Sequence, residues 1–278
     1  MQNTILRPIE QAASTKPVAK PRQRSRRMLL RRFAWVFTLA IVLGLWQFVT
    51  MFELVDRFLL PPPQAVAEKF YEVLIDGTLW GHARTTLHEV LFGLSTGLTV
   101  GVLLGYMIAK NHLLEDLLAP IIVAFQSTPV VAYAPLLVIW FGTGVESKII
   151  TCALIVFFPM MMNTIVGIRS VPEGLHDLMR VSQANHWQIF AKLELPAAMP
   201  VLITGIKTSA TLAVIGAVVG EFIVANSGLG FWINLARQQY DTPLVYVAVI
   251  TLALMASTLY AVVSLFERRL LAWQRRGE

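Results

Sequence analysis

Charge is scarce in this chain. Only 14% of its 278 residues are Asp, Glu, Lys or Arg, where a soluble domain carries about 25%. A water-soluble enzyme of this length could not cover its surface with so few. Cysteine is scarcer still: Cys152 stands alone inside an apolar run, so no internal disulfide can form. No CxxC or HExxH spacing occurs, and no metal site is expected. The dipeptide Gly-Lys is missing, and with it the phosphate-cradling loop G-x-x-x-x-G-K-[ST]. A chain of this kind is not expected to be an enzyme or to hydrolyse ATP itself.

Apolar residues fill the space that charge leaves, at 56% of the chain. A bilayer core about 30 Å thick needs roughly 20 of them in a helix. Windows 33–52, 90–109, 117–141, 149–168 and 243–266 hold no charged residue, and 201–220 holds only Lys207. Its stem is expected to snorkel toward the nearer interface. None of these windows alternates polar with apolar, as a barrel strand would. Backbone groups in lipid must pair within their own segment. The expectation is therefore an all-α polytopic membrane protein with six transmembrane helices.

The net charge of +6 becomes informative once it is placed along the chain. With a cytoplasmic N-terminus, 18 of the 23 basic residues fall on the cytoplasmic side. That asymmetry orients the protein with both termini inside and removes nucleic acid as a partner. The organisation expected is a disordered basic cytoplasmic tail at 1–32, a six-span domain at 33–266 and a cytoplasmic tail at 267–278. The cluster Arg22–Arg32 would lie against anionic lipid headgroups or serve only to set topology. Residues 64–74 read as an amphipathic helix at the outer face.

Within the spans, Gly93, Gly97, Gly101 and Gly105 recur every four residues, and Gly216 and Gly220 form a second pair. Small residues at that spacing let another helix approach closely. Gln126, Ser127, Thr128 and Pro129 interrupt the third span, with Tyr133 and Pro135 beyond; Pro159 and Asn163 interrupt the fourth. Broken helices carrying hydroxyls and amides at membrane depth accompany solute pathways or are plain kinks. Candidate pathway residues are Gln126, Ser127, Tyr133, Asn163, Thr208 and Glu221. Glu221, at the outer end of span five, either serves the pathway or faces interfacial water.

The longest inter-span cytoplasmic stretch is 169–200. Ser170 followed by Glu173 reads as a helix N-cap, with a short helix to about Val181. A break falls near Gln183–Asn185, a second short helix carries Trp187 and Phe190, and Leu195-Pro196 ends it. Aromatic residues on such a loop fit a protein-docking surface, or an interfacial anchor.

Asp177-Leu178-Met179-Arg180-Val181-Ser182-Gln183, ending in Leu193-Glu194-Leu195-Pro196, resembles the Glu-Ala-Ala loop of ABC importer permeases, E-A-A-x3-G-x9-I-x-L-P. Leu178 and Met179 replace the two alanines, and Gln183 replaces the glycine, whose left-handed turn Asn185 could supply instead. Leu60-Pro61-Pro62-Pro63, Ala134-Pro135-Leu136 with Trp140-Phe141-Gly142, and Ile215 to Phe222 with Gly228-Leu229-Gly230 are similar to further segments of that family. The likeness covers residues 58–266 and is nearest to the nitrate/sulfonate/taurine-type branch. The Leu-Met-Arg loop is also similar to permeases for riboflavin or thiamin-pyrimidine precursors.

The resemblance implies the type I importer permease fold in a bacterial inner membrane. It implies a second permease chain, forming a homodimer, two ABC ATPase subunits that use ATP and Mg, and an external solute-binding protein. No cofactor would bind this chain. Asp177, Arg180, Gln183, Ala184, Asn185, His186, Trp187, Phe190, Leu195 and Pro196 would couple it to the ATPases. The alternative is a secondary transporter or channel without ATP coupling. That alternative should show an intramembrane charge relay or an inverted repeat.

Overall fold

The computed structural model describes residues 23–271, with side chains from Val36 onward. The tail basic cluster therefore falls outside the described side chains. The helices are α1 (Gln23–Met51), α2 (Pro63–Ile75), α3 (Thr78–Lys110), α4 (His112–Ser127), α5 (Val130–Phe141), α6 (Val145–Arg169), α7 (Glu173–Val181), α8 (His186–Ile189), α9 (Leu195–Ile223), α10 (Leu229–Gln238) and α11 (Thr242–Leu270). Among the described residues there is no strand.

The chain divides into two units at Leu54. The first contains α1, which starts inside the expected tail, ten residues ahead of the expected span. Its described side chains are largely apolar and exposed, Phe37 and Leu45 among them, as suits a helix sheathed in lipid.

In the second unit α6 is clasped between α3 and α9, the two most extensive helix contacts in the protein. The glycine spacing explains why. A Cβ on Gly97 would lie 2.6 Å from the Ala153 carbonyl oxygen, and one on Gly105 would lie 2.6 Å from that of Met161. On the other side, a Cβ on Gly216 would lie 2.7 Å from Cα of Cys152, and one on Gly220 would lie 3.0 Å from Cα of Lys148. Lipid tails are as apolar as leucine, so burial alone cannot drive these helices together. Close packing must do so. Val90, Cys152, Val156, Ala213, Val214 and Ala217 form the dry centre of the three-helix slab.

Turn chemistry sets the other boundaries. Gly77, at φ +82°, precedes α3, a conformation open to glycine without a Cβ penalty. The Asn111 side chain accepts from the amides of Leu113 and Leu114 to cap α4, and Asp241 caps α11 through Leu244. Lys69 of α2 pairs with Glu72 and, at 3.2 Å, with Asp241 at the start of α11. Glu72, then Asp241, hold the ammonium above its ordinary pKa.

Two expectations are corrected and one is sharpened. The interruption expected in window 117–141 is a full break: α4 and α5 meet at 99°. Thr128 precedes Pro129 and is extended at φ −95° and ψ 126°, because the proline ring disfavours the helical region for its predecessor. Lys207 does not snorkel; its ammonium pairs with Glu267 of α11 and lies 5.5 Å from the Tyr260 ring centroid. Leu195-Pro196 does not end a helix. Residues 190–194 form a π-turn in which the Leu195 amide donates to the Phe190 carbonyl. Proline, lacking an N–H, is tolerated in the first turn that follows, so His186–Ile223 runs on as one helical stretch.

Among the described residues, four helices are long and apolar enough to cross a membrane, or five if the bent α4–α5 pair counts as one span. Val36–Met51 is a shorter apolar helix. Among the described residues, length and composition thus give four or five spans where six were expected.

Candidate functional site

The loop between α6 and α9 carries two short helices and one strained residue. Ser170 is not an N-cap. It closes α6, its hydroxyl donating to the Gly167 carbonyl 2.7 Å away, and Pro172 takes the cap position of α7. Pro172 wins because its fixed φ, here −59°, already suits entry into a helix. Asp177 and Arg180 sit one turn apart on α7, paired at 3.3 Å and exposed. Leu175, Leu178 and Val181 are also exposed, Val181 to 82%.

The reversal after α7 falls on Gln183, at φ +55°. This is the position where the Glu-Ala-Ala pattern has glycine. Asn185 does not supply the left-handed turn. It is extended, and it builds a capping box with Gln188: each side chain bonds the other's backbone amide, at 2.8 and 2.9 Å. Ala184 bridges the two, half-buried, its amide donating to the Met179 carbonyl. His186 and Trp187 open α8. Trp187 is 72% exposed, while Phe190 turns inward to pack edge-on against Tyr106 of α3 at 5.2 Å.

Behind these exposed residues the loop is anchored by Glu194. Its carboxylate is buried and pairs with Lys110 at the end of α3; it also accepts from the Tyr106 hydroxyl at 3.2 Å and faces His176 of α7 at 3.8 Å. Sequence reading passed over Glu194, Lys110 and His176. Their only signal was the carboxylate inside Leu193-Glu194-Leu195-Pro196, since its partners lie 84 and 88 residues away in sequence.

The polar residues read as a pathway separate into two places. Gln126 lines a cavity of about 400 Å³ at the α4–α5 bend, with Phe125, Thr128, Phe158, Pro159 and Leu212 among its neighbours. Ser127 returns its hydroxyl to Val123, and Tyr133 reaches the Phe125 carbonyl at 3.5 Å. Asn163 donates to the Pro159 carbonyl at 2.8 Å, and Thr208, exposed one turn before Leu212, donates to Thr204. Glu221 lies elsewhere. It is inside α9, not beyond it, and only 1% exposed. It accepts from the Thr86 hydroxyl at 2.6 Å and from the Gly230 amide, while Leu229 N–H donates to Thr86. Neither interfacial water nor the cavity reaches it; Glu221 ties the start of α10 to α3. Glu89, Lys148 and His82 surround this knot. Glu89 lies fully buried 3.7 Å from Lys148, and His82 accepts from the Gly228 amide at 3.1 Å.

Residues 97–275 match the family described as binding-protein-dependent transport system inner membrane component. The chain belongs to that family. Among curated members, the riboflavin transport system permease protein RibX of Chloroflexus aurantiacus is 44% identical over 94% of this chain and 98% of its own length. The putative aliphatic sulfonates transport permease protein SsuC of Bacillus subtilis is 32% identical over 89% and 91%. The taurine transport system permease protein TauC of Escherichia coli is 31% identical over 85% and 88%. A solved structure of the MetNI methionine ABC transporter in an inward-facing conformation superposes with a TM-score of 0.57. It covers 72% of this chain and 97% of that one at 22% identity, which establishes a shared fold. The all-helical fold is therefore that of ABC importer permeases. As an inner membrane component, this chain has apolar helices suited to its place.

Proposed function

We propose that this chain is the membrane-spanning subunit of an ATP-driven importer and carries a small solute inward by alternating access. The observation that carries the reading is the loop 173–194. Exposed apolar Leu175, Leu178, Val181 and Trp187 form a docking surface, and buried Glu194, paired with Lys110, fastens it to α3. Exposed apolar residues on a firmly held element fit a protein partner. Two ATPase subunits would bind there, on a pair of permease chains, and an external binding protein would deliver solute. ATP binding would favour one of two arrangements of the pair through differential contacts. The basic-residue asymmetry supports termini on the cytoplasmic side. The span-bounded domain 33–266 would do the transport. Among nitrate, sulfonates, taurine, riboflavin and pyrimidine precursors, riboflavin draws the most support, from the 44% identity to a named riboflavin permease protein along nearly the whole of both chains.

The test is Trp187→Asp in the full chain. It should leave membrane insertion intact and abolish co-purification of the ATPase encoded with it, together with ATP-dependent uptake. Undiminished co-purification and uptake would overturn the docking assignment.

A further inference from the structure

Two phenylalanine rings line the cavity at the α4–α5 bend. Phe125 and Phe158 lie within 25° of parallel with centroids 6.4 Å apart. Carbon atoms meet at about 3.5 Å, so a flat ring held face-on between two others needs about 7 Å. The face-to-face gap is at most that centroid separation, so a side-chain rotation must open the pair to admit a ring. Both rings line the same cavity of about 400 Å³, a size in the range of small-molecule sites. Phe158 packs edge-on against Phe157 at 4.9 Å, and Phe125 lies 5.7 Å from the Tyr133 ring. Each ring thus touches a further aromatic ring.

The cavity sits at the right depth. Phe158 and Pro159 fall at the middle of α6, and Leu212 falls near the middle of α9. Solute sites in transporters occupy the bilayer midplane beside broken helices, and the break here is the 99° turn at Thr128-Pro129. The chemistry of the lining is also selective. None of the described residues lining the cavity is charged; Gln126 and Thr128 are the polar side chains among them. A sulfonate or nitrate entering it would lose hydration with no cation to replace it. A flat heterocycle would stack on both phenylalanines, and the Gln126 amide offers a donor and an acceptor to its edge.

We infer that Phe125 and Phe158 form a clamp that takes a planar aromatic heterocycle during transport and selects it over compact anions. The inference rests on the importer reading above and deepens it by naming the residues that would hold the solute. Two measurements keep the ideas separable. The first is equilibrium dialysis of the purified permease–ATPase complex, without binding protein, against riboflavin. The wild type should bind it, and excess taurine should not displace it. Phe125→Leu and Phe158→Leu, which keep apolar volume but remove the ring, should each weaken binding roughly tenfold or more, as loss of a stacking platform does. Phe125→Trp should retain it. The second is ATP-dependent uptake by the complete transporter in proteoliposomes. Uptake by the wild type, with riboflavin binding unchanged in both leucine variants, absent from the wild type or displaced by taurine, overturns the clamp and leaves the importer reading standing. Uptake of riboflavin and taurine alike that proceeds undiminished without ATP overturns the importer reading itself.

Discussion

Replacing Gly97 by alanine tests the packing of the three-helix slab most directly. The added Cβ would lie 2.6 Å from the Ala153 carbonyl oxygen and 2.9 Å from both Cβ and Cγ1 of Val156. Ordinary contact begins near 3.5 Å, so α3 and α6 must separate by several tenths of an ångström. Two of the three atoms are a carbonyl oxygen and a Cβ, which no side-chain rotation can move. Overpacking of this kind costs about 1–3 kcal/mol. Alanine returns up to ~1 kcal/mol through its better helix propensity. The clash wins, with a net loss of about 1–2 kcal/mol. At 2–4 °C per kcal/mol for a chain of this size, the midpoint should fall by roughly 2–8 °C. The assay is thermal unfolding of the detergent-purified chain, followed by loss of the monodisperse peak in size-exclusion chromatography. Gly81→Ala is the control: its helical site has nothing within 4 Å of a new Cβ, so it should be neutral or slightly stabilising. Val156→Ala in the Gly97→Ala background should rescue only part of the loss, since it removes Cγ1 but leaves the Ala153 carbonyl. A Gly97→Ala chain as stable as the wild type, or a Gly81→Ala chain destabilised to the same degree, would refute the reasoning.

Two further outcomes follow from the loop and the Glu221 knot. Gln183→Gly should raise the midpoint, because a non-glycine residue at φ +55° carries about 1 kcal/mol of strain; Gln183→Val should lower it, and equal midpoints for the pair would count against a strained turn. Glu221→Ala leaves the buried Gly230 amide without its acceptor and opens a void, for a loss of about 2–4 kcal/mol, whereas Glu221→Gln keeps an acceptor and should lose less. Limited proteolysis of the 224–241 segment should quicken in Glu221→Ala alone, and identical digestion of both variants would argue against the anchor.

Much of this architecture could be read from residue order because lipid punishes exceptions. Windows free of charge mark helices with little ambiguity, and the four-residue glycine spacing anticipates the face on which α3 meets α6. The same criterion hides what happens inside a window. Residues 117–141 hold no charge, and Gln126 to Pro129 with Pro135 marked an interruption there, but nothing in their hydropathy gave its angle of 99°. The loop was legible as two short helices because its break coincides with a known pattern. Its details depended on local competition: Pro172 displaced Ser170 as the cap, and Gln183 took the left-handed turn that Asn185 was better suited to by type. Contacts across the chain were out of reach. Nothing near Glu221 reveals that Thr86, 135 residues away, will be its partner, so a buried knot read as a watery or solute-facing carboxylate. Lys207 was misplaced for the same reason, since Glu267 lies 60 residues on.

The uninterrupted run from His186 to Ile223 has a mechanical consequence. Its 38 residues, at 1.5 Å each, measure about 57 Å, nearly twice the thickness of a bilayer core. One end carries Trp187, and the other carries Glu221 with its grip on α10. Such a rod acts as a lever: a tilt of about 5° pivoted at one end would displace the other by roughly 5 Å over that length. An event at the Trp187 end therefore need not travel residue by residue to be felt at the Glu221 end, because a single element already touches both.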